Sequence, residues 1–240
     1  MNKPQEALAA PASEPYDTSR AEPAGLICPA TEIFDSVVVW DKISDAIKDA
    51  QSEKDIRSKA VAILSAARQD GMAAIAQAFR AQPFASRPTT RAYSWLTDQI
   101  VTYVMRISRD HLHPLSNPTE QERLSLIAVG GSGRGEMAPY SDVDLLFLTP
   151  YKITPWAESV IESMLYMLWD LKLKVGHSSR TIKDCVRLGR EDYTIRTSLV
   201  EARYLAGDAA LAEELGTRLW DELFKSTATD FVEAKLAERA

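Results

Sequence analysis

The segment Leu124-Ser-Leu-Ile-Ala-Val-Gly130-Gly131-Ser132-Gly133-Arg134-Gly135-Glu136-Met-Ala-Pro-Tyr-Ser-Asp142-Val143-Asp144-Leu-Leu-Phe-Leu148 decides how this chain is read. Its first six residues are a short, nearly continuous apolar run, the pattern of a buried strand. Four of the chain's ten glycines then fall at positions 130, 131, 133 and 135. A second strand follows from Asp142 to Leu148, and Pro150 stops it.

Three glycine-loop chemistries compete for this turn. A dinucleotide fingerprint, G-x-G-x-x-G counted from Gly131, needs glycine at position 136 and meets Glu136. A P-loop fits the Gly130 to Gly135 spacing, but Glu136 and Met137 stand where lysine and a hydroxyl residue belong. A carboxylate there repels phosphate. What remains is a strand, a Gly-Gly-Ser turn presenting backbone N–H groups to phosphates, and a second strand carrying Asp-x-Asp.

Alternate residues of a strand share a face, with Cα atoms roughly 7 Å apart, so Asp142 and Asp144 can converge on shared cations while Val143 turns to the core. Two metal ions so held clamp a triphosphate, one on the attacking oxygen and one on the leaving pyrophosphate. Without a cation the two carboxylates repel each other.

Working outward, residues 1–32 hold five of the twelve prolines and no apolar periodicity, and are expected to form a flexible leader. Residues 33–120 read as a helical N-terminal segment. Within it, Ile56, Ala60, Ile63 and Ala67 make one stripe, and Ala92, Leu96, Ile100, Tyr103 and Ile107 another. Residues 121–225 alternate strands with helices. Thr154-Pro155 opens a helix through Asp170, Leu171 to Val175 reads as a third strand, and Thr181 to Asp184 as a capping box. Ser198 to Leu205 reads as a further extended piece, and Asp208 as the next N-cap before the Leu211, Leu215, Leu219, Leu223 stripe. Residues 226–240 read as the start of a helix cut from a longer chain. The expected fold is α/β, a short mixed sheet flanked by helices and preceded by a helical segment.

Composition excludes several functions. With 28 Lys and Arg against 34 Asp and Glu, the net charge is −6, which argues against a nucleic-acid coat. No apolar stretch approaches membrane-spanning length. Cys28 and Cys185 are far apart, pointing to neither a disulfide scaffold nor a zinc knuckle, and the expected location is the cytoplasm. Residues 172 to 203 nevertheless carry eight Lys or Arg against four Asp or Glu, a local positive patch able to meet phosphate.

Gly-Gly-Ser followed about ten positions on by Asp-x-Asp resembles the signature of the DNA polymerase β-type nucleotidyltransferases. The fuller string, Gly130 to Glu136 with Pro139 and Ser141-Asp-Val-Asp-Leu-Leu, resembles the bifunctional uridylyltransferase/uridylyl-removing family that acts on PII nitrogen-regulatory proteins. Leu168-Trp-Asp-Leu-Lys-Leu-Lys-Val-Gly-His-Ser-Ser-Arg-Thr181 and Thr197-Ser-Leu-Val-Glu-Ala-Arg-Tyr-Leu-Ala-Gly-Asp208 look like two further blocks of that family. Ser132 departs from the tyrosine of its pattern. Glutamine synthetase adenylyltransferase shares the turn and Ser-Asp-x-Asp-Leu, but its Arg-Val-Asp-x-Arg-Leu-Arg-Pro type of block is absent here.

The resemblance implies Mg²⁺-dependent transfer of UMP from UTP to a tyrosine of a PII-type protein. Asp142 and Asp144 would be the catalytic metal ligands. Gly130, Gly131, Ser132, Gly133, Arg134 and Arg180 would bind the nucleotide. A third acidic group is expected on a later strand, with Glu201 first and Asp192 second as candidates. Beside Gly176, His177 reads as a structural histidine. The resemblance further implies uridylyl-removing and glutamine-sensing modules beyond residue 240. A noncatalytic nucleotide- or PII-binding module is the rival reading, against which the intact Asp142 and Asp144 argue.

Overall fold

The computed structural model describes residues 23–225 and 228–237. Helix α1 (Ala30–Ile33) and α2 (Ser36–Lys48) lead into the long α3 (Glu53–Ala81) and α4 (Ser86–Ile107), which runs on through a π-helical turn to Leu112. Local chemistry sets these starts. Asp35 accepts from the Val38 amide, and Ser52 from the Asp55 amide, so each helix begins where a side chain satisfies an orphan N–H. Of the stretch expected to be a leader, residues 1–22 lie outside the described residues. Ile27 and Ala30 are buried in the core.

Strand β1 (Ser125–Ala128) enters α5 (Gly130–Gly133), a single turn made of the glycine cluster, and β2 (Val143–Thr149) follows. Next come α6 (Pro155–Asp170), β3 (Val175–Thr181), α7 (Ile182–Glu191), α8 (Tyr193–Val200), β4 (Arg203–Gly207), α9 (Ala209–Leu219) and α10 (Ala228–Ala237). The sheet is mixed, in the order β3-β2-β1-β4, with β1 antiparallel to both neighbours and β2 parallel to β3. The parallel pair is joined by the α6 crossover, as its geometry demands.

Both faces of the sheet are covered. Leu126, Ala128, Leu145 and Phe147 pack with α1 to α4 and α6, so the helical segment and the sheet share one core. Ile127, Leu146 and Leu148, the alternate residues, pack against α7, α8 and α9. Burial on both sides explains why β1 and β2 read as continuous apolar runs. Among the described residues no helix is long and apolar enough to cross a membrane.

The expected N-caps Thr154, Thr181 and Asp208 are all present, Thr181 within a reciprocal capping box. Two strands differ from expectation. The third does not occupy 171–175 but begins at Val175. Leu171 and Leu173 amides bond back to Met167 and Leu168 carbonyls, and Lys172 takes a left-handed φ of 60°, so these leucines close α6. The extended piece expected over 198–205 is helical as far as Val200. Asp192 accepts from the Thr194 and Ile195 amides and thereby starts α8.

Candidate active site

The glycine turn and the Asp-x-Asp strand are bound to one another through the backbone. The Val129 amide donates to the Asp144 carbonyl at 3.1 Å, and the Asp144 amide donates to the Ser132 hydroxyl at 3.1 Å. Gly130 adopts φ 56°, a left-handed conformation that turns the chain from β1 into α5. A Cβ on Gly130 would lie 3.3 Å from Asp144 Oδ2, and one on Gly176 would lie 2.5 Å from Oδ1. The Asp144 carboxylate therefore rests in a cradle between two glycines on β2's two sides.

That carboxylate is pushed above the ordinary range, first by burial and then by the neighbouring charge of Asp142. Asp142 stands just before β2, largely exposed, with Lys174 Nζ 4.0 Å away. Of the expected pair, one carboxylate is thus held in the cradle and the other stands exposed just before the strand, close enough for its charge to act on the first. Among the described residues no third His, Cys, Asp or Glu joins them in a metal-binding group.

A cleft of about 310 Å³ opens at this point, lined by Gly130, Asp144, Gly176, Ser178, Arg180 and Ser198. Register explains the β3 contribution. Gly176, Ser178 and Arg180 pair with Asp144, Leu146 and Leu148, so alternate residues of both strands share the face toward α8. His177 also borders the cleft, but its ring packs edge-on against Phe147.

The remaining expected site residues divide. Gly131 is open, with only Arg134 Nη2 near a would-be Cβ, at 3.7 Å. Arg134 pairs with Glu201 at 2.6 Å. Ser132 is buried away from the cleft, and its hydroxyl is occupied by the Asp144 amide and Met137. Gly133 is a packing glycine, because a Cβ there would lie 2.0 Å from the Glu201 carbonyl oxygen. Glu201 is not on a strand. It caps the C-terminus of α8, and its carboxylate faces the Arg134 guanidinium. Asp192 is an N-cap, its carboxyl held below the ordinary range by the Ile195 and Thr194 amides. Gly176 and Ser178 were not singled out as site residues from sequence. The available signal was a small-residue run, Gly-His-Ser-Ser, where a strand should be apolar.

The bifunctional uridylyltransferase/uridylyl-removing enzyme of Ruegeria pomeroyi is 59% identical over 207 residues, which is 86% of this chain and 23% of that protein. The enzyme of the same name from Cereibacter sphaeroides is 54% identical over 232 residues, 96% of this chain and 25% of the relative. The chain is homologous to these enzymes. A third uridylyltransferase/uridylyl-removing enzyme, from Rhodospirillum rubrum, is 45% identical over 86% of this chain. The chain spans about a quarter of the length of the first two uridylyltransferase/uridylyl-removing enzymes. No family model matches it.

Proposed function

We propose that this chain is a nucleotidyltransferase that moves UMP from UTP to a tyrosine hydroxyl of a PII-type signalling protein, releasing pyrophosphate. The observation that carries the reading is the cradled Asp144 carboxylate beside an open glycine turn. The names of the relatives supply the uridylyl group, and the PII acceptor follows from the sequence resemblance.

A divalent cation fits these residues. Two glycines leave space around a carboxylate whose charge is disfavoured by burial and by Asp142, so a cation there relieves both penalties. Mg²⁺ is commonly held by one or two carboxylates together with substrate phosphates, which suits a pair without a third partner. Asp142 and Asp144 would hold it. When bound, it supplies charge neutralisation and polarisation at the triphosphate.

The chain's own residues bind and orient the substrate. Backbone N–H groups at the start of the glycine turn face the phosphates, the Gly133 amide being held by the Val129 carbonyl, and Arg180 of the cleft and Arg134 of the turn take up phosphate charge. Glu201 keeps Arg134 extended beside Gly131. The tyrosine oxygen of the partner forms a bond to the α-phosphorus as the bond from that phosphorus to the pyrophosphate oxygen breaks. The phenolic proton leaves to solvent. Positioning and electrostatic complementarity carry this chemistry, so no nucleophile is needed from this chain. The two cysteines, unpaired by any disulfide, support a cytoplasmic setting.

The test is incubation of the chain with each nucleoside triphosphate, Mg²⁺ and a PII protein, followed by mass measurement of the partner. A UMP adduct on tyrosine is expected. An AMP adduct would replace the reading with adenylyl transfer, and nucleotide binding without any adduct would replace it with a binding module.

A further inference from the structure

The glycine turn has little intrinsic stiffness, because three of its four residues are glycines, which carry wide backbone freedom. Its last carbonyls also have few backbone partners, the Gly135 amide reaching that of Ser132 at 3.2 Å. Both needs are met from one side chain. Arg203, the first residue of β4, donates through Nε to the Gly133 carbonyl at 3.0 Å and through Nη2 to the Ser132 carbonyl at 2.8 Å. The same guanidinium forms a fork with Asp98 of α4, Nη1 to Oδ2 at 2.6 Å and Nη2 to Oδ1 at 3.1 Å.

Helix α4 grips the stretch after the turn as well. The Met137 amide reaches both the Ser94 hydroxyl at 2.8 Å and the Thr90 carbonyl at 3.3 Å, and Arg87 pairs with Glu136 at 2.7 Å. Thr90, Ser94 and Asp98 are spaced by four, so they lie along one side of α4. All three face residues that hold or follow the turn.

We propose that Asp98 and Arg203 are positioning residues for nucleotidyl transfer: Asp98 fixes the Arg203 guanidinium, and Arg203 clamps the carbonyls of Ser132 and Gly133. The clamp holds the phosphate-facing amides and the adjoining Arg134 in place before UTP arrives. This rests on the nucleotidyltransferase reading given above. A buried ion pair is a poor choice for stability alone, because desolvation offsets its Coulombic gain. Asp98 is almost fully enclosed, its side chain only 10% exposed against 32% for Arg203, so the carboxylate carries most of that desolvation and the pair's value lies in direction. A planar five-donor fork can hold two carbonyls and a carboxylate at once, whereas lysine presents a single point charge. The helical segment is by this argument part of the catalytic machinery's frame.

The experiment compares Arg203→Lys and the near-isosteric Asp98→Asn with wild type and with Arg123→Lys. Arg123 makes an equally close fork to Asp208 but touches no part of the turn. Three quantities are read on each: melting temperature, steady-state constants for UTP and acceptor, and hydrogen exchange of the amides at 130–137. Arg203→Lys and Asp98→Asn are expected to speed exchange at 130–137 and to raise KM for UTP about tenfold, with kcat/KM down by as much as about a hundredfold. KM for the acceptor should not move. Arg123→Lys is expected to lower the melting temperature while leaving KM for UTP and exchange at 130–137 unchanged. Wild-type exchange and wild-type KM for UTP in a folded Arg203→Lys or Asp98→Asn would overturn the proposal, as would an equal rise in KM for UTP in Arg123→Lys. If Arg203→Lys does not fold, Asp98→Asn decides the matter. Absence of UMP transfer by the wild type would count against the functional reading, while the exchange comparison would still decide whether the clamp exists.

Discussion

Replacing Gly176 with alanine should separate the site from the fold. The new Cβ would sit 2.5 Å from Asp144 Oδ1, whereas ordinary contact begins near 3.4 Å. The gap must open by about 0.9 Å, and the atom that must yield is the tip of a side chain whose misplacement by that distance can cost on the order of a hundredfold in rate. Stability should move little. Rotating Asp144 off its preferred geometry costs about 0.5–1.5 kcal/mol, and replacing a strand glycine returns about 0.4–1 kcal/mol through the unfolded chain. The two nearly cancel. The assay is UMP transfer to the acceptor, followed by mass, alongside thermal melting with and without Mg²⁺. We expect a melting temperature close to wild type, transfer down roughly a hundredfold, and a reduced gain in melting temperature on adding Mg²⁺. Near-normal transfer by a folded Gly176→Ala protein would refute the idea that the cradled carboxylate is the centre of the site.

Asp142→Asn and Asp144→Asn should each lower transfer about a thousandfold or more with circular dichroism unchanged. Asp144 also makes a pH prediction. Its folded pKa is raised, so between the unfolded and folded values the native state holds a proton that the unfolded state has released, and stability falls as pH rises through that window. In metal-free buffer Asp144→Asn should therefore match wild type below the window and melt higher above it; identical melting curves across the carboxylate range would contradict the burial argument. Gly131→Val should weaken UTP binding about tenfold or more, because the side chain projects into open space where phosphate must approach, and a calorimetric titration with unchanged affinity would remove the turn from the site. Gly207→Ala should destabilise by at least about 2 kcal/mol, since φ is 91° and the Cβ would meet the Leu124 carbonyl oxygen at 2.3 Å; chemical denaturation measures it.

The parts of this molecule legible in the sequence are those governed by neighbours in the chain. Apolar runs marked β1 and β2 because both sheet faces are buried, and Thr154, Thr181 and Asp208 declared their helices through caps that act over three residues. The Asp142–Asp144 spacing and the glycine cluster point to the candidate site for the same reason. What escaped depends on distant partners. Leu171 and Leu173 look like strand residues, yet closing α6 claims them, and the edge strand β3 is polar because its alternate residues line a cleft. Glu201 reads as a strand residue because it falls within the extended-looking piece 198–205, but Asp192 starts a helix that reaches Val200 and leaves Glu201 opposite Arg134. Arg203 carries no local signature at all. Its meaning comes from carbonyls 70 positions earlier in the chain.

The strand order also governs the birth of the protein on the ribosome. β1 lies inside the sheet, between β2 and β4, yet β4 is made last of the four. At roughly 5–20 residues per second, the 70 residues separating Gly133 from Arg203 occupy several seconds of synthesis. Throughout that interval the nascent chain can pair β1 with β2 but presents β1's other side as a row of unpaired amides and carbonyls, the template on which chains aggregate. Pauses in translation between residues 149 and 203 should accordingly reduce soluble yield more than pauses after Gly207.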